Sequence, residues 1–310
     1  FMSTAGSVAA IFPGQGAQSV GMLGELAESH ASIKGRFDQA SQVLGFDLWA
    51  MTQQGPSNVL GQTENTQPAL LVASVALWDL WPEAEDKVAM MSGHSLGEYS
   101  ALVCAGAMSF EDGVGLVRKR GELMQAAVPN GQGTMAAVLG LDDDVIAGCC
   151  EEVDGEVSAA NYNAPGQVVI AGETAAVAAA IEACKAAGAK RAVPLDVSGP
   201  FHSRLMQRAA DDFARALENI DFSMPRVPVY QNVHGEVAVS VEQMRQLLVE
   251  QLYSPVRWTT CVNALIDAGT EQFVECGPGN VLAGLVKRIS RSTPTIGLCS
   301  SDGIAAARGS

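Results

Sequence analysis

The sequence predicts an α/β protein in which a large domain on a mainly parallel sheet carries a smaller inserted one. Three observations lead there. Strand-like and helix-like runs alternate near both ends of the chain, as in a parallel sheet covered by helices. The middle breaks that rhythm with a βαββαβ order. The 310 residues are 48% hydrophobic and 17% charged, enough to bury a full core and too long for a minimal domain.

Val8–Phe12 reads as a short buried strand that ends in the breaker loop Pro13-Gly14-Gln15-Gly16. A helix is expected from Pro68 to Leu80, with proline in its first turn and Pro82 beyond its end. Val88–Met91 is the next strand. After Pro129-Asn130-Gly131-Gln132-Gly133 come a strand (Thr134–Leu139), a helix (Asp143–Val153) and two strands (Val157–Tyr162, Gln167–Ala171), then a helix (Thr174–Ala187) and a strand (Arg191–Val197). That order is the ferredoxin-like unit, entered and left by Gly and Pro signals. It places an inserted subdomain at residues 130–200, leaving 1–129 and 201–310 to the large domain. Gln272-Phe273-Val274-Glu275 then runs as a strand into Gly277-Pro278-Gly279, with a helix from Val281 to Ile289. There is no internal repeat or low-complexity tract.

Charge and cysteine usage narrow the function classes. With 19 basic against 34 acidic residues, the net charge of −15 argues against general nucleic-acid binding, because a row of phosphates would go unneutralised. Against that background two basic clusters stand out: Lys185, Lys190 and Arg191, then Lys287, Arg288 and Arg291. Solvated helix ends and docking patches explain them equally well. The seven cysteines are odd in number and show no C-x-x-C spacing, which disfavours a disulfide framework and a zinc site and suits a reducing compartment. No apolar run is long enough to span a bilayer. The N-terminus Phe1-Met2-Ser3-Thr4-Ala5-Gly6-Ser7 lacks the features of a signal peptide, and Phe1 ahead of Met2 reads as an appended residue.

The chemistry centres on Gly93-His94-Ser95-Leu96-Gly97. An apolar strand, G-x-S-x-G and then a helix is the setting in which a serine sits strained at a turn apex, its hydroxyl exposed at the sheet edge. The helix N-terminus aims backbone N–H groups at the place where an oxyanion would form. A bare G-x-S-x-G is common by chance; the flanking strand and helix favour a nucleophile. A serine needs a base, and four histidines are available. His94 adjoins the nucleophile but should point elsewhere, and His30 and His234 lie in polar or turn-like stretches. His202, in the loop Val197-Ser198-Gly199-Pro200-Phe201-His202-Ser203 after a predicted strand, remains. No upstream acid is clearly its partner; Asp196 is a candidate by chain order, with a turn role the competing explanation.

One charge falls inside an apolar stripe. Ser109 looks like a helix cap with an acid three residues on. In the helix that follows, Val114, Leu116, Val117, Leu123, Met124 and Ala127 share a face. Arg120 falls in the middle of that face. A buried guanidinium is costly unless paired, and its planar fork suits a carboxylate. A structural salt bridge with a residue such as Glu98 and selection of a carboxylate-bearing acyl group are both open on this reading.

Taken together, Phe12-Pro13-Gly14-Gln15-Gly16-Ala17-Gln18, Gly93-His94-Ser95-Leu96-Gly97-Glu98-Tyr99, Asn163-Ala164-Pro165-Gly166-Gln167, Pro200-Phe201-His202-Ser203 and Glu275-Cys276-Gly277-Pro278-Gly279 resemble the malonyl-CoA:acyl carrier protein transacylase family over nearly the whole chain. The resemblance implies an α/β-hydrolase-like core with an inserted ferredoxin-like subdomain. It further implies that Ser95 attacks the thioester of malonyl-CoA with His202 as base, and that the N–H groups of Leu96 and Gln15 hold the oxyanion. Arg120 would pair with the malonyl carboxylate, and the carbonyl of Gln251 would orient the histidine. Phe201 resembles the pattern associated with malonyl over methylmalonyl choice.

The implied cycle is ping-pong: CoA leaves, and the phosphopantetheine thiol of acyl carrier protein takes the malonyl group. Neither cofactor nor metal is called for. The expected setting is a cytoplasmic monomer in fatty-acid synthesis, with no nucleic-acid or membrane partner. Carrier proteins are acidic, so Lys190, Arg191, Lys287 and Arg288 become docking candidates. Two departures from the family pattern stand out: Asn280 where lysine is expected, and an unusual tail after Leu298 ending in Gly309-Ser310. The rival readings are a serine esterase or thioesterase, a silent carrier-binding module, and a polyketide-pathway acyltransferase acting in trans.

Overall fold

The computed structural model describes residues 7–309; the leader reading and the appended Phe1 fall on residues 1–6, outside the described residues, as does Ser310. Ten strands form two sheets among the described residues. β1 (Ser7–Phe12), β2 (Val88–Gly93), β7 (Val229–Gln231), β8 (Glu236–Val237), β9 (Thr270–Glu275) and β10 (Thr295–Gly297) make the larger one, in the order β10-β9-β1-β2-β7-β8. Every pairing in it is parallel except β7 with β8.

The central strand β1 is apolar on both faces, as a parallel strand covered twice must be. Ala9 and Ile11 join a core with Trp258, Val262 and Leu285, from the helices Trp258–Asp267 and Val281–Ile289. Val8, Ala10 and Phe12 join the main core with the helix Thr63–Asp79. The C-terminal ends of β1, β2, β7 and β9 therefore open on one edge, where ligands bind in sheets of this kind.

The smaller sheet is antiparallel throughout. It comprises β3 (Gly133–Leu139), β4 (Val157–Ala164), β5 (Gln167–Glu173) and β6 (Arg191–Pro194), in the order β4-β5-β3-β6. With the helices Asp143–Glu151 and Thr174–Ala186 it follows the βαββαβ order read from the sequence. Alternation of side chains gives each strand two roles. Ala136, Val138, Val168 and Ile170 pack under the two helices. Met135, Val169 and Ala171 point the other way and join the main core. Backbone bonds Tyr162 N–H to Val256 O (2.9 Å) and Val256 N–H to Ala160 O (2.8 Å) tie this sheet to the segment that leads into the helix Trp258–Asp267.

Two expected boundaries are corrected. The helix expected to begin at Pro68 starts at Thr63, so Pro68 lies inside it. Proline there leaves the Glu64 carbonyl without its intrahelical donor, and Arg118 Nη1 supplies one at 2.9 Å. The last strand of the small sheet ends at Pro194, where its register with β3 ends, and not at Val197. Leu195 N–H still bonds to Met135 O (2.9 Å); residues 196–200 then peel away and carry the chain back toward the sheet edge, with Leu195 and Val197 facing the cavity there.

Candidate active site

The turn after β2 is shaped by two contacts that exclude side chains. A Cβ on Gly97 would lie 2.0 Å from the carbonyl oxygen of Phe12, and one on Gly93 would lie 1.9 Å from that of Gly97. Only glycine fits where strand and helix cross this closely. Between them Ser95 is held at φ 53°, a left-handed conformation that costs a non-glycine residue of order 1–3 kcal/mol. Asn232, on the loop after β7, holds the strained turn from both sides. Its Oδ1 accepts from Ser95 N–H at 2.8 Å and its Nδ2 donates to Gly93 O at 2.7 Å.

The Ser95 hydroxyl lies 2.7 Å from His202 Nε2, and His202 Nδ1 lies 2.8 Å from the carbonyl oxygen of Gln251. A carbonyl accepts only, so Nδ1 carries the proton and Nε2 is left to accept from serine. His202 is buried, also at positive φ (59°), and its pKa is pushed down to about 3, first by burial and then by the neighbouring Arg120 cation. It is therefore a neutral base at physiological pH. Asp196 is exposed on the outer side of its loop and is not the orienting group; chain order is no guide where a main-chain carbonyl does the work of an acid.

Arg120, 1% exposed, enters from the helix Phe110–Ala126, which Ser109 caps through Asp112 N–H as expected. Its Nη1 donates to Gln67 Oε1 at 2.7 Å and its Nη2 to Gln251 Oε1 at 2.9 Å. The same Nη2 stands 3.4 Å from Ser95 Oγ. The Tyr99 ring packs 5.1 Å from the guanidinium. No carboxylate reaches ion-pair distance among the described residues, so the expected alternative of a Glu98 salt bridge is not formed. The result is a buried cation, held in place by neutral oxygens and facing the nucleophile.

These groups line a cavity of about 220 Å³. The turns after β1 and β2 supply Gln15, Ser95 and Leu96, and the helix Phe110–Ala126 supplies Arg120; β4 supplies Asn161 and Asn163. The N–H groups of Gln15 and Leu96 have no hydrogen-bond partner among the described residues. Phe201 also lines it. His94 is half-buried, bonded through Nε2 to Asn163 Oδ1 (2.7 Å) and packed on Trp258, away from the serine hydroxyl. Two residues carry no mark in the sequence: Asn232, two positions before the turn-like His234, and Gln67, which lies just ahead of the expected helix start and inside the observed helix. Asn161 gave one available signal, a polar side chain inside the expected strand Val157–Tyr162; Asn163 lies beyond that expected end and inside the observed β4. Lys190, Arg191, Lys287 and Arg288 are all exposed and none lines this cavity.

A serine on a strand-to-helix turn, paired with a histidine and facing free N–H donors, defines the class of proteins that carry acyl groups on serine. Comparison with known proteins narrows the class. The profile of the acyl transferase domain family matches residues 10–305, and the chain belongs to that family. The malonyl CoA-acyl carrier protein transacylase of Salmonella typhimurium is 55% identical over 282 residues, 90% of this chain and 91% of that protein. Among solved structures, an acyl carrier protein S-malonyltransferase from Vibrio cholerae superposes with a TM-score of 0.94 at 50% identity, covering 97% of this chain and 99% of that one. A malonyl-transacylase in complex with a type II PKS acyl-carrier protein gives 0.96 at 50% identity, covering 98% and 99%.

Proposed function

We propose that this protein moves the malonyl group of malonyl-CoA onto the phosphopantetheine thiol of an acyl carrier protein through a malonyl-Ser95 intermediate. The observation that carries this reading is the uncompensated Arg120 fork, buried and 3.4 Å from the Ser95 hydroxyl. A buried guanidinium without a counter-ion is expensive, and a substrate that brings its own carboxylate removes the expense at the place where its thioester must react. An acetyl group offers no such return.

The geometry supports the following cycle. His202 Nε2 takes the hydroxyl proton as Ser95 Oγ bonds to the thioester carbon, and the free N–H groups of Gln15 and Leu96 receive the negative oxygen. The C–S bond then breaks, and CoA leaves with the proton from His202. In the second half the carrier thiol gives its proton to His202, its sulfur displaces Ser95, and the hydroxyl is restored. The Gln251 carbonyl keeps His202 in one tautomer throughout. Phe201 crowds the cavity against an α-methyl group, a discrimination of about 1–3 kcal/mol.

In this reading residues 130–200 form a subdomain that walls the cavity, and the protein acts as a cytoplasmic monomer. Lys190 and Arg191 at β6, with Lys287 and Arg288 on the last turn of the helix Val281–Ile289, meet an acidic carrier. Seven free thiols fit a reducing compartment, and no helix of the described residues is long and apolar enough to cross a membrane. The complex formed by a 50%-identical relative favours one second reading, a polyketide carrier as the acceptor.

The test is transfer from isolated malonyl-enzyme to a phosphopantetheinylated fatty-acid carrier and to a polyketide carrier, followed by carrier mass. Malonyl-carrier formation faster than hydrolysis supports the reading, and the preferred carrier decides between its two versions. Free malonate as the only product contradicts it.

A further inference from the structure

Glu98 is a fully buried carboxyl group that the cycle above does not use. It sits three residues after the nucleophile, in the first turn of the helix Gly97–Cys104, and turns into the protein. Three donors converge on it. Gln231 Nε2 donates to Oε1 at 3.0 Å; Asn232 N–H (2.8 Å) and Gln251 Nε2 (3.2 Å) donate to Oε2. Two of these residues govern the reacting groups. Asn232 holds the Ser95 N–H, and Gln251 holds His202 through its main chain and Arg120 through its side chain.

The Gln251 amide is the critical link, because an amide has a donor end and an acceptor end and can be turned either way. Its Nε2 faces three acceptors, Ser95 O at 3.1 Å, Asn232 Oδ1 at 3.0 Å and Glu98 Oε2 at 3.2 Å. Its Oε1 is thereby left for Arg120 Nη2. Turned over, it would set an oxygen against three oxygens and an NH₂ against a guanidinium. Glu98 is the only one of the three acceptors that carries a full charge, and ionised it can never offer a proton in return.

Resting on the malonyl-transfer reading, we propose that Glu98 is a positioning residue that fixes the Gln251 amide with its oxygen toward Arg120, and so sets the preference of the site for acyl groups bearing a carboxylate. It acts through Gln251 and not as a counter-ion, since it makes no ion pair with Arg120. In a Glu98→Gln variant of the same shape, an NH₂ must face one of the three converging donors, and the orientation of Gln251 is no longer dictated.

The test is the rate of Ser95 acylation by malonyl-CoA and by acetyl-CoA, read by rapid quench and intact mass on wild type, Glu98→Gln and Glu98→Asp, with near-UV circular dichroism as the folding control. Glu98→Gln is expected to slow malonyl acylation by about tenfold or more and acetyl acylation by less than about threefold, with part of the preference regained in Glu98→Asp. A structural defect would slow both donors alike. That result, or an unchanged preference in Glu98→Gln, overturns the proposal. Failure of the wild type to form a malonyl adduct overturns instead the reading on which it rests.

Should Glu98→Gln not fold, the preference of the wild type against pH decides. Burial raises the Glu98 carboxyl to about 7, with Gln231, Asn232, Gln251 and Arg120 lowering it. The titratable groups facing it stay out of that range. His202 is held near 3, Cys261 is raised to about 12, Tyr99 is raised, and Arg120, though lowered by burial, is a guanidinium, which is not deprotonated in proteins. The malonyl-over-acetyl preference should fall as pH drops from about 8 to about 5.5. A flat preference over that window overturns the proposal.

Discussion

The two sheets meet at one cavity and contribute to it in opposite ways. At the edge of the large parallel sheet, buried polar side chains bond to one another: Asn232, Gln231, Gln251, Glu98, Gln67 and Arg120 form a connected web behind the nucleophile. The core of the small antiparallel sheet is apolar, made of Ala, Val, Ile and Cys side chains, and its cavity-facing residues are a wall with one polar contact, Asn163 to His94. Each of these side chains is held by at least one of the others, which makes the web rigid, although the buried Nε of Arg120 has no hydrogen-bond partner among the described residues. The contrast is one of construction: hydrogen-bonded polar groups stand behind Ser95 on the side of the large sheet, and a mostly apolar wall faces them on the side of the small one.

Three substitutions press on that contrast. The largest effect is expected from His202→Ala on the large side, a fall of about 10⁴-fold in malonyl transfer with little change in melting temperature, read by steady-state kinetics and thermal unfolding. On the wall, Asn163→Ala should cost about tenfold at most, because it frees His94 without touching the dyad. A loss as deep as that of His202→Ala would break the division of labour. The smallest effect is away from the cavity. Glu275 is fully buried and caps the helix Val281–Ile289 through the N–H groups of Leu282 (3.1 Å) and Ala283 (2.9 Å), and burial raises its pKa to about 7.

The sign of its pH effect is fixed by that shift. A raised folded-state pKa means the native protein binds the proton more tightly, so this group's contribution to stability falls as pH rises from the ordinary glutamate range through about 7. The stability deficit of Glu275→Gln, on the order of 1–2 kcal/mol, should therefore be larger near pH 5 than near pH 8 in urea unfolding. A deficit that grows with pH would contradict the direction of the shift.

How much of this was legible in the sequence follows from how local each signal is. β1, β2, β9 and the helix Val281–Ile289 are short apolar runs bounded by Gly and Pro, and the βαββαβ order shows in changes of period from 2 to 3.6. Ser95 is legible because a strand, two glycines and a helix surround it within fifteen residues. Arg120 is legible because a charge interrupts an apolar stripe, although only the fold reveals amide oxygens around it instead of Glu98. Asn232 lies 137 residues from the serine it supports, in a stretch that resembles any polar turn. Pro68 looked like a helix start because Arg118, which satisfies the freed carbonyl, is 54 residues from Glu64.

The central claim is a covalent malonyl group on Ser95 selected by Arg120. Intact mass after brief exposure to malonyl-CoA or acetyl-CoA tests it most directly, with Ser95→Ala and Arg120→Ala alongside. The account predicts a malonyl adduct on the wild type, none on Ser95→Ala, and about a hundredfold slower malonyl labelling in Arg120→Ala, as loss of two charge-assisted hydrogen bonds implies. Steady release of CoA with no adduct, or malonyl labelling undiminished in Arg120→Ala, would contradict it.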